Sequence, residues 1–247
     1  MTAKCNIGPA SQGHSNAGDR ARSAWSAEAP RWYLWFDTEF TTLDLEKARP
    51  LAVALMITDT QLRRVLPPEA DVHLAIRLPP RATVSRWVRQ HLSDLLQRCR
   101  SREAVTTTEA DRRMAALVDR VAGPPKREAR YRPVLAGNSI HTDWRLVQRF
   151  FPRLATRINY RQLDVTSLKL QWWARREGLA QAMEFDKEDV GLIRRLFPEA
   201  QITDERRHDA YYDVQASVAE LAFYRRCLCR RGLFAGDRPL ARRPRRA

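Results

Sequence analysis

The stretch Trp32-Tyr33-Leu34-Trp35-Phe36-Asp37-Thr38-Glu39-Phe40 is where the reading of this chain starts. Trp32 to Phe36 is aromatic and aliphatic without alternation, the pattern of a strand buried on both faces. Two carboxylates follow two residues apart, and side chains at i and i+2 of a strand share a face. Asp37 and Glu39 are therefore expected side by side at the end of a core strand. Like charges there repel and call for a compensating cation, and oxygen-only ligands suit Mg2+ or Mn2+. Taken alone, the pair also fits a strand simply running out into solvent.

Outward from this stretch, Leu51 to Thr58 reads as a second fully buried strand. Val72 to Leu78 alternates like a half-buried strand, ended by Pro79-Pro80. Val84, Trp87, Val88, Leu92, Leu95 and Leu96 recur at helical spacing and predict one helix, with a polar helix following over about 108–121. Gly123-Pro124-Pro125 and the charges up to Arg132 make an exposed loop. Pro133 to Gly137 reads as a short strand, Ile140 to Phe151 as a helix closed by Pro152, and Leu163-Asp164-Val165 as a strand entering a helix over about 166–176. The charged stretch 177–207 holds one short helix, about 187–197. Ala210, Val214, Ser217, Val218, Leu221 and Ala222 form the apolar stripe of a last, long helix. Strands first, then helices and strands in alternation, indicate an α/β domain with a mixed sheet. No internal repeat is present.

With 247 residues, 44% of them hydrophobic, the chain is long enough for one sizeable core. The net charge of +15 suggests a polyanionic partner, but it is unevenly spread. From Arg225 onward nine Arg face the single Asp237, so residues 227–247 form a basic tail. Such a tail is either a solvated, disordered end or a nonspecific tether for phosphates. Residues 1–31 read as a disordered extension, loosely like an organellar transit peptide. The expected compartment is the cytoplasm or, through that segment, the mitochondrial matrix. Cys5, Cys99, Cys227 and Cys229 lack zinc-ligand spacing and read as reduced thiols of an intracellular protein. No apolar run approaches the roughly 18 residues of a membrane span, and no apolar signal-peptide core is present, so a soluble protein is expected.

Further acids come from other elements: Asp143 follows Gly137-Asn138-Ser139, and Asp213 lies in the last helix. His208 precedes Asp213 by five residues, about 140° apart on a continuous helix, so the two can cooperate only if His208 lies at or before the helix start. Four blocks then stand in order: Trp35 to Asp44, Gly137 to Asp143, Tyr160 to Leu168 and His208 to Tyr224. They hold Asp-x-Glu, Gly-Asn-Ser-Ile-x-x-Asp, Tyr-Arg-x-Leu-Asp-Val and His-x-x-x-x-Asp, the last followed by Ser-Val-Ala-Glu-Leu-Ala. In these blocks the chain, from about Trp32 to Arg226, resembles the oligoribonucleases, 3′-to-5′ exonucleases of the DEDDh type.

The resemblance implies a ribonuclease H-like mixed β-sheet flanked by helices and two divalent ions, Mg2+ or Mn2+. Asp37 would bridge the ions, Glu39 and Asp213 would complete the site beside the nucleophile, and Asp143 would hold the second ion largely through water. His208 would take the proton of the attacking water, a task its ordinary pKa suits. Leu43 and Trp87 match residues that wedge or stack on bases, and Ser139, Tyr160, Arg161 and Thr166 match the grip on a terminal 5′ phosphate. From the residues alone, Trp87 and Tyr160 also fit core positions, and Ser139 a helix cap. The chain departs from the family at Thr42, where Gly is usual, and at His91, which matches a family histidine only with an offset of about one residue. The segments 100–132 and 177–207 exceed the family's length and read as decorations away from the cleft, the alternative being that they cover or narrow it. The implied substrate is very short single-stranded RNA, or short DNA less well, and the implied assembly a homodimer with the Tyr160 region near its boundary. Two other activities fit the fold: exonuclease action on longer RNA or DNA 3′ ends, and RNA binding or assembly without catalysis.

Overall fold

The computed structural model describes residues 29–174, 184–203 and 209–230. The expected N-terminal extension before residue 29, the tail beyond Arg230, His208 and parts of 177–207 thus lie outside the described residues. Five strands form one sheet in the order β3-β2-β1-β4-β5. β1 (Trp32–Phe40) pairs antiparallel with β2 (Pro50–Asp59) from Trp32 opposite Asp59 to Glu39 opposite Ala52. β3 (Val72–Ala75) extends that antiparallel edge, while β4 (Val134–Gly137) and β5 (Gln162–Asp164) add parallel strands on the other side. This is the mixed, ribonuclease H-like sheet expected from the sequence.

The lengths of the neighbours of β1 matter more than their order. β2 accompanies β1 throughout, which is why the strand continues past its apolar run and carries Asp37 and Glu39 in its last residues, at the end where they were expected. β4 pairs with β1 only from Tyr33 to Trp35. Beyond Trp35 that flank of β1 has no strand partner, and the two acids stand there.

Alternation along the sheet separates two cores. Trp35, Ala54, Met56 and Ala136 face the long helix α8 (Ala210–Arg230), joined by α6 (Val165–Ala174) and α7 (Val190–Leu196). Leu34, Phe36, Val53, Leu55 and Leu135 face α3 (Thr107–Ala122), α4 (Ile140–Phe150) and α5 (Pro152–Ala155). Asp37 and Glu39 follow the parity of Trp35 and so belong to the α8 face. At the sheet edge Arg64 binds Asp71, the Tyr211 hydroxyl donates to Asp71 at 2.7 Å, and Arg64 also donates to Gln215 at 3.2 Å. These contacts tie the start of α8 to the strand layer.

Three local expectations change. The single helix around Trp87 is two, α1 (Arg86–His91) and α2 (Ser93–Arg98), broken at Leu92 (φ −120°, ψ 35°). Val88, Leu92, Leu96 and Cys99 all reach a small core around Leu51, and the break lets both helices do so. β3 stops at Ala75, because Ile76 turns to bridge Val105 instead. The segment 177–207 is not wholly decoration: Phe185, Ile193, Phe197, Ala200 and Ile202 are buried in the same core as Trp35 and α8. Its apolar residues are spread too thinly among charges to show a period.

Cys99 and Cys227 are buried, and burial pushes the Cys99 thiol up to about 11. Among the described residues no helix is long and apolar enough to cross a membrane.

Candidate active site

Three elements converge beyond the end of β4. β1 supplies Asp37 and Glu39, the first turn of α8 supplies Asp213, and the first turn of α4 supplies Asp143. Carboxylate oxygens of Asp37, Glu39 and Asp213 lie within 4.8 Å of one another. Asp143 is 6% exposed and close enough to act electrostatically on Asp37. The acid pair of β1 is thus half-buried in a cluster, not running out into solvent.

Gly137 makes the convergence of β4 and α4 on β1 possible. A Cβ there would meet the Phe36 carbonyl oxygen at 2.8 Å and Ile140 Cδ1 at 3.0 Å, closer than real side chains come. With hydrogen alone, the chain leaves β4 tight against β1 and turns into α4. Ser139 then adopts a left-handed conformation (φ 49°, ψ 34°) and makes no side-chain cap, so it is not the capping serine its position suggests. Its amide donates to Asp164 Oδ1 at 3.0 Å and to Thr166 Oγ1 at 2.9 Å.

The electrostatics are those of anions held together against their preference. Burial, then Asp143, Asp213 and Glu39, raise the Asp37 carboxyl well above the ordinary range. Burial and the charges of Asp213 and Asp209 push Glu39 up to about 7, and burial above all pushes Asp143 up to about 8. Four oxygen-donating side chains in this state match the donor set of a hard divalent cation, which would relieve every one of these shifts. Lys187 counters the shifts of Asp37 and Glu39, its Nζ 3.5 Å from Asp213 Oδ1. The sequence offered no signal for it, a lysine in a charged stretch. Asp209, which follows His208 in the sequence, pairs with His73 at 2.8 Å. Burial opposes that carboxylate, yet the bond from His73 holds Asp209 below its ordinary value. α8 begins at Ala210, and His208 itself lies outside the described residues.

The sequence-derived substrate residues fall into three groups. Leu43 is 87% exposed in the loop after β1, and Trp87 is 58% exposed, neither being a core residue. The Ser85 amide donates to the Thr41 carbonyl at 2.8 Å, which docks the Trp87 helix on the Leu43 loop. His91 stacks on Trp87 with ring centroids 4.6 Å apart, so the offset histidine lies beside it after all. Thr42, in place of the usual Gly, accepts from the Asp44 amide at 3.3 Å and helps shape this loop. Ser139 and Thr166 meet directly at the ends of β4 and β5. Tyr160 and Arg161 stack on each other, 4.7 Å from guanidinium to ring centroid, but precede β5, whereas Thr166 follows it. The length of β5, roughly 10 Å, separates these two pairs.

A family profile described as exonuclease matches residues 34–221. Oligoribonuclease of Azoarcus sp. (strain BH72) is 30% identical over 205 residues, covering 81% of this chain and 96% of that protein. Oligoribonuclease of Paracidovorax citrulli is 31% identical over 199 residues, 79% of this chain and 89% of that protein. Among solved structures, zinc-bound E. coli exonuclease I with single-stranded DNA has a TM-score of 0.57 at 14% identity, over 82% of this chain and 42% of that one. Cell-death related nuclease 4 has a TM-score of 0.52 at 12% identity, over 82% of this chain and 65% of that one. This chain spans less than half the length of the exonuclease I chain, and the likeness to both structures is one of fold.

Proposed function

Since this chain belongs to the exonuclease family, among the relatives of oligoribonuclease, and is a hydrolase of the 3′-to-5′ exoribonuclease class, we propose that it degrades very short RNA, from dinucleotides to pentanucleotides, to 5′-mononucleotides. The observation that carries this is the cluster of Asp37, Glu39 and Asp213 oxygens within 4.8 Å, with Asp143 beside it, where β1 outruns β4. These four carboxylates would hold two Mg2+ or Mn2+ ions. When bound, such a pair supplies a water activated at neutral pH and charge stabilisation at both reacting oxygens.

The chain's own groups do the rest. Asp37 and Glu39 are fixed on a strand hydrogen-bonded to β2, so their spacing is set by the backbone. Asp213 is held by a helix whose first turn is tied to β3 through His73 and to the sheet edge through Tyr211. His208, by its place just before that helix, would receive the water's proton. Leu43 and Trp87, apolar yet exposed, would take the terminal bases by wedging and stacking, which is tolerant of base identity. His91 would extend that surface.

Ser139 and Thr166 would meet the 5′ phosphate of a short substrate, and Tyr160 and Arg161 would complete the grip in a homodimer. Tyr160 is 60% exposed, and Leu170 and Trp173 on α6 are 55% and 45% exposed, large apolar side chains that a second copy would cover. A second reading, action on longer 3′ ends, draws on one observation: in one chain β5 keeps Arg161 apart from Thr166, leaving the grip open.

The test uses 5′-labelled RNAs of about two, five and twenty nucleotides with Mn2+. Fast loss of the shortest with little attack on the longest is expected, and Asp37→Ala should remove it. Efficient shortening of the longest RNA selects the second reading. Absence of any Asp37-dependent cleavage leaves RNA binding without catalysis.

A further inference from the structure

We propose that Lys187 is a catalytic cation of the acidic centre, one that meets the non-bridging oxygens of the scissile phosphate. The inference rests on the hydrolytic reading above and adds a group outside the four acids and the histidine.

The lysine is built into its place. Phe185, 5% exposed, plugs the core beneath α8, and the Tyr212 hydroxyl donates to the Lys187 carbonyl at 2.6 Å. Tyr212 itself is buried and precedes Asp213, so the backbone of Lys187 is referenced to the same helical turn that presents a proposed metal ligand. On the C-terminal side, Asp186 Oδ1 accepts from the Glu188 amide and Asp189 caps α7 through the Leu192 amide, both at 2.8 Å. From this fixed base the side chain, 51% exposed, reaches to 3.5 Å from Asp213 Oδ1. Its charge also acts on Asp37 and Glu39, lowering both against their burial.

Charge accounting distinguishes what such a lysine can do. With no other cation, it offsets one of four carboxylate charges. Two divalent ions on four carboxylates reach neutrality, and the ammonium then faces cations that repel it. What remains for it is the phosphodiester, which carries one negative charge. As the water oxygen forms its bond to phosphorus and the bond to the leaving 3′ oxygen breaks, a second negative charge builds on the phosphoryl oxygens. The water's proton passes to the base and a proton reaches the leaving oxygen, so the products are a 5′-mononucleotide and a shortened RNA with a 3′ hydroxyl. A cation at that spot interacts more strongly with the transition state than with bound substrate, so its loss falls on kcat more than on KM. Its half-exposed four-carbon stem gives it the freedom to shift from Asp213 to phosphate.

The experiment compares the full chain with its Lys187→Gln and Lys187→Arg variants. It measures kcat and KM on a labelled dinucleotide RNA with Mn2+, Mn2+ binding by electron paramagnetic resonance without RNA, and thermal melting. Lys187→Gln is expected to lower kcat about 30-fold or more, with KM within about two-fold and Mn2+ binding undiminished. Lys187→Arg should regain part of the rate. A Lys187→Gln protein whose kcat stays within about two-fold of wild type, while wild type cleaves normally, overturns the proposal and leaves the hydrolytic reading standing. A rate loss accompanied by weaker Mn2+ binding or a lower melting temperature also overturns it, because the lysine is then structural. A wild-type protein that binds Mn2+ but cleaves no RNA overturns both.

Discussion

Two clusters of buried charge lie on either side of the first turn of α8, and they are solved in opposite ways. At the sheet edge, Asp71 receives the Arg64 guanidinium and the Tyr211 hydroxyl, and Arg64 also reaches Gln215 and the Glu199 carbonyl. Burial still lifts the Asp71 carboxyl somewhat, while the same pairing holds Arg64 more firmly charged. At the end of β1, Asp37, Glu39 and Asp143 are raised much further; Lys187 opposes the shifts of Asp37 and Glu39, and hydrogen bonds from Thr38 and the backbone oppose that of Asp143. The edge cluster is satisfied inside the chain. The β1 cluster is arranged for ions from outside, and its discomfort without them is the sign of its use.

That contrast can be broken most sharply by Asp37→Asn. Cleavage of short RNA should fall about 1,000-fold or more, while the metal-free protein melts no lower than wild type, since one of several repelling charges is gone. A melting temperature well below wild type would assign Asp37 a structural role instead. At the other cluster, Arg64→Met leaves Asp71 buried without its ion partner. Urea unfolding should report a loss of about 3–5 kcal/mol, with cleavage per folded molecule near wild type. If stability is unmoved, the edge pair is not what anchors α8.

The pH dependence of stability separates the clusters next. Glu39 near 7 and Asp143 near 8 are raised above their unfolded values, so their contribution is complete below about pH 4 and is lost as pH rises through 7 and 8. In a chelator, the melting temperature should fall by about 5 °C between pH 6 and 9, and saturating Mn2+ should abolish the fall by binding the deprotonated carboxylates. A flat profile in chelator would contradict the account of the acidic centre. The smallest effect belongs to Tyr211→Phe, which removes one hydroxyl from Asp71 and should cost about 1 kcal/mol in urea unfolding with no change in kcat.

The strands and long helices were legible from the way they are buried: the unbroken apolar run Leu51 to Thr58 in β2, covered on both faces, and the helical spacing of the apolar residues from Ala210 to Ala222 in α8. The four acids were legible because each sits in a short motif in fixed order. Other features depend on packing that no local pattern encodes. Leu92 breaks a helix that its spacing continues, since two short helices reach Leu51 where one would not. Lys187 looks like any solvated lysine until Phe185 and Tyr212 are seen to fix its backbone. His73 and Asp209, remote in sequence, meet only because β3 lies beside the start of α8. The separation of Arg161 from Thr166 by β5 likewise needs the sheet to be built first.

Gly137 gives the site its tolerance. The acids of β1 and Asp143 of α4 belong to separate segments of the chain, and the joint between those segments is one residue with a single hydrogen on its inner face. A methyl group in its place must displace the Phe36 carbonyl, the backbone group directly before Asp37, or press on the tip of the Ile140 side chain. Site dimensions are thereby set like a spacer of minimal thickness.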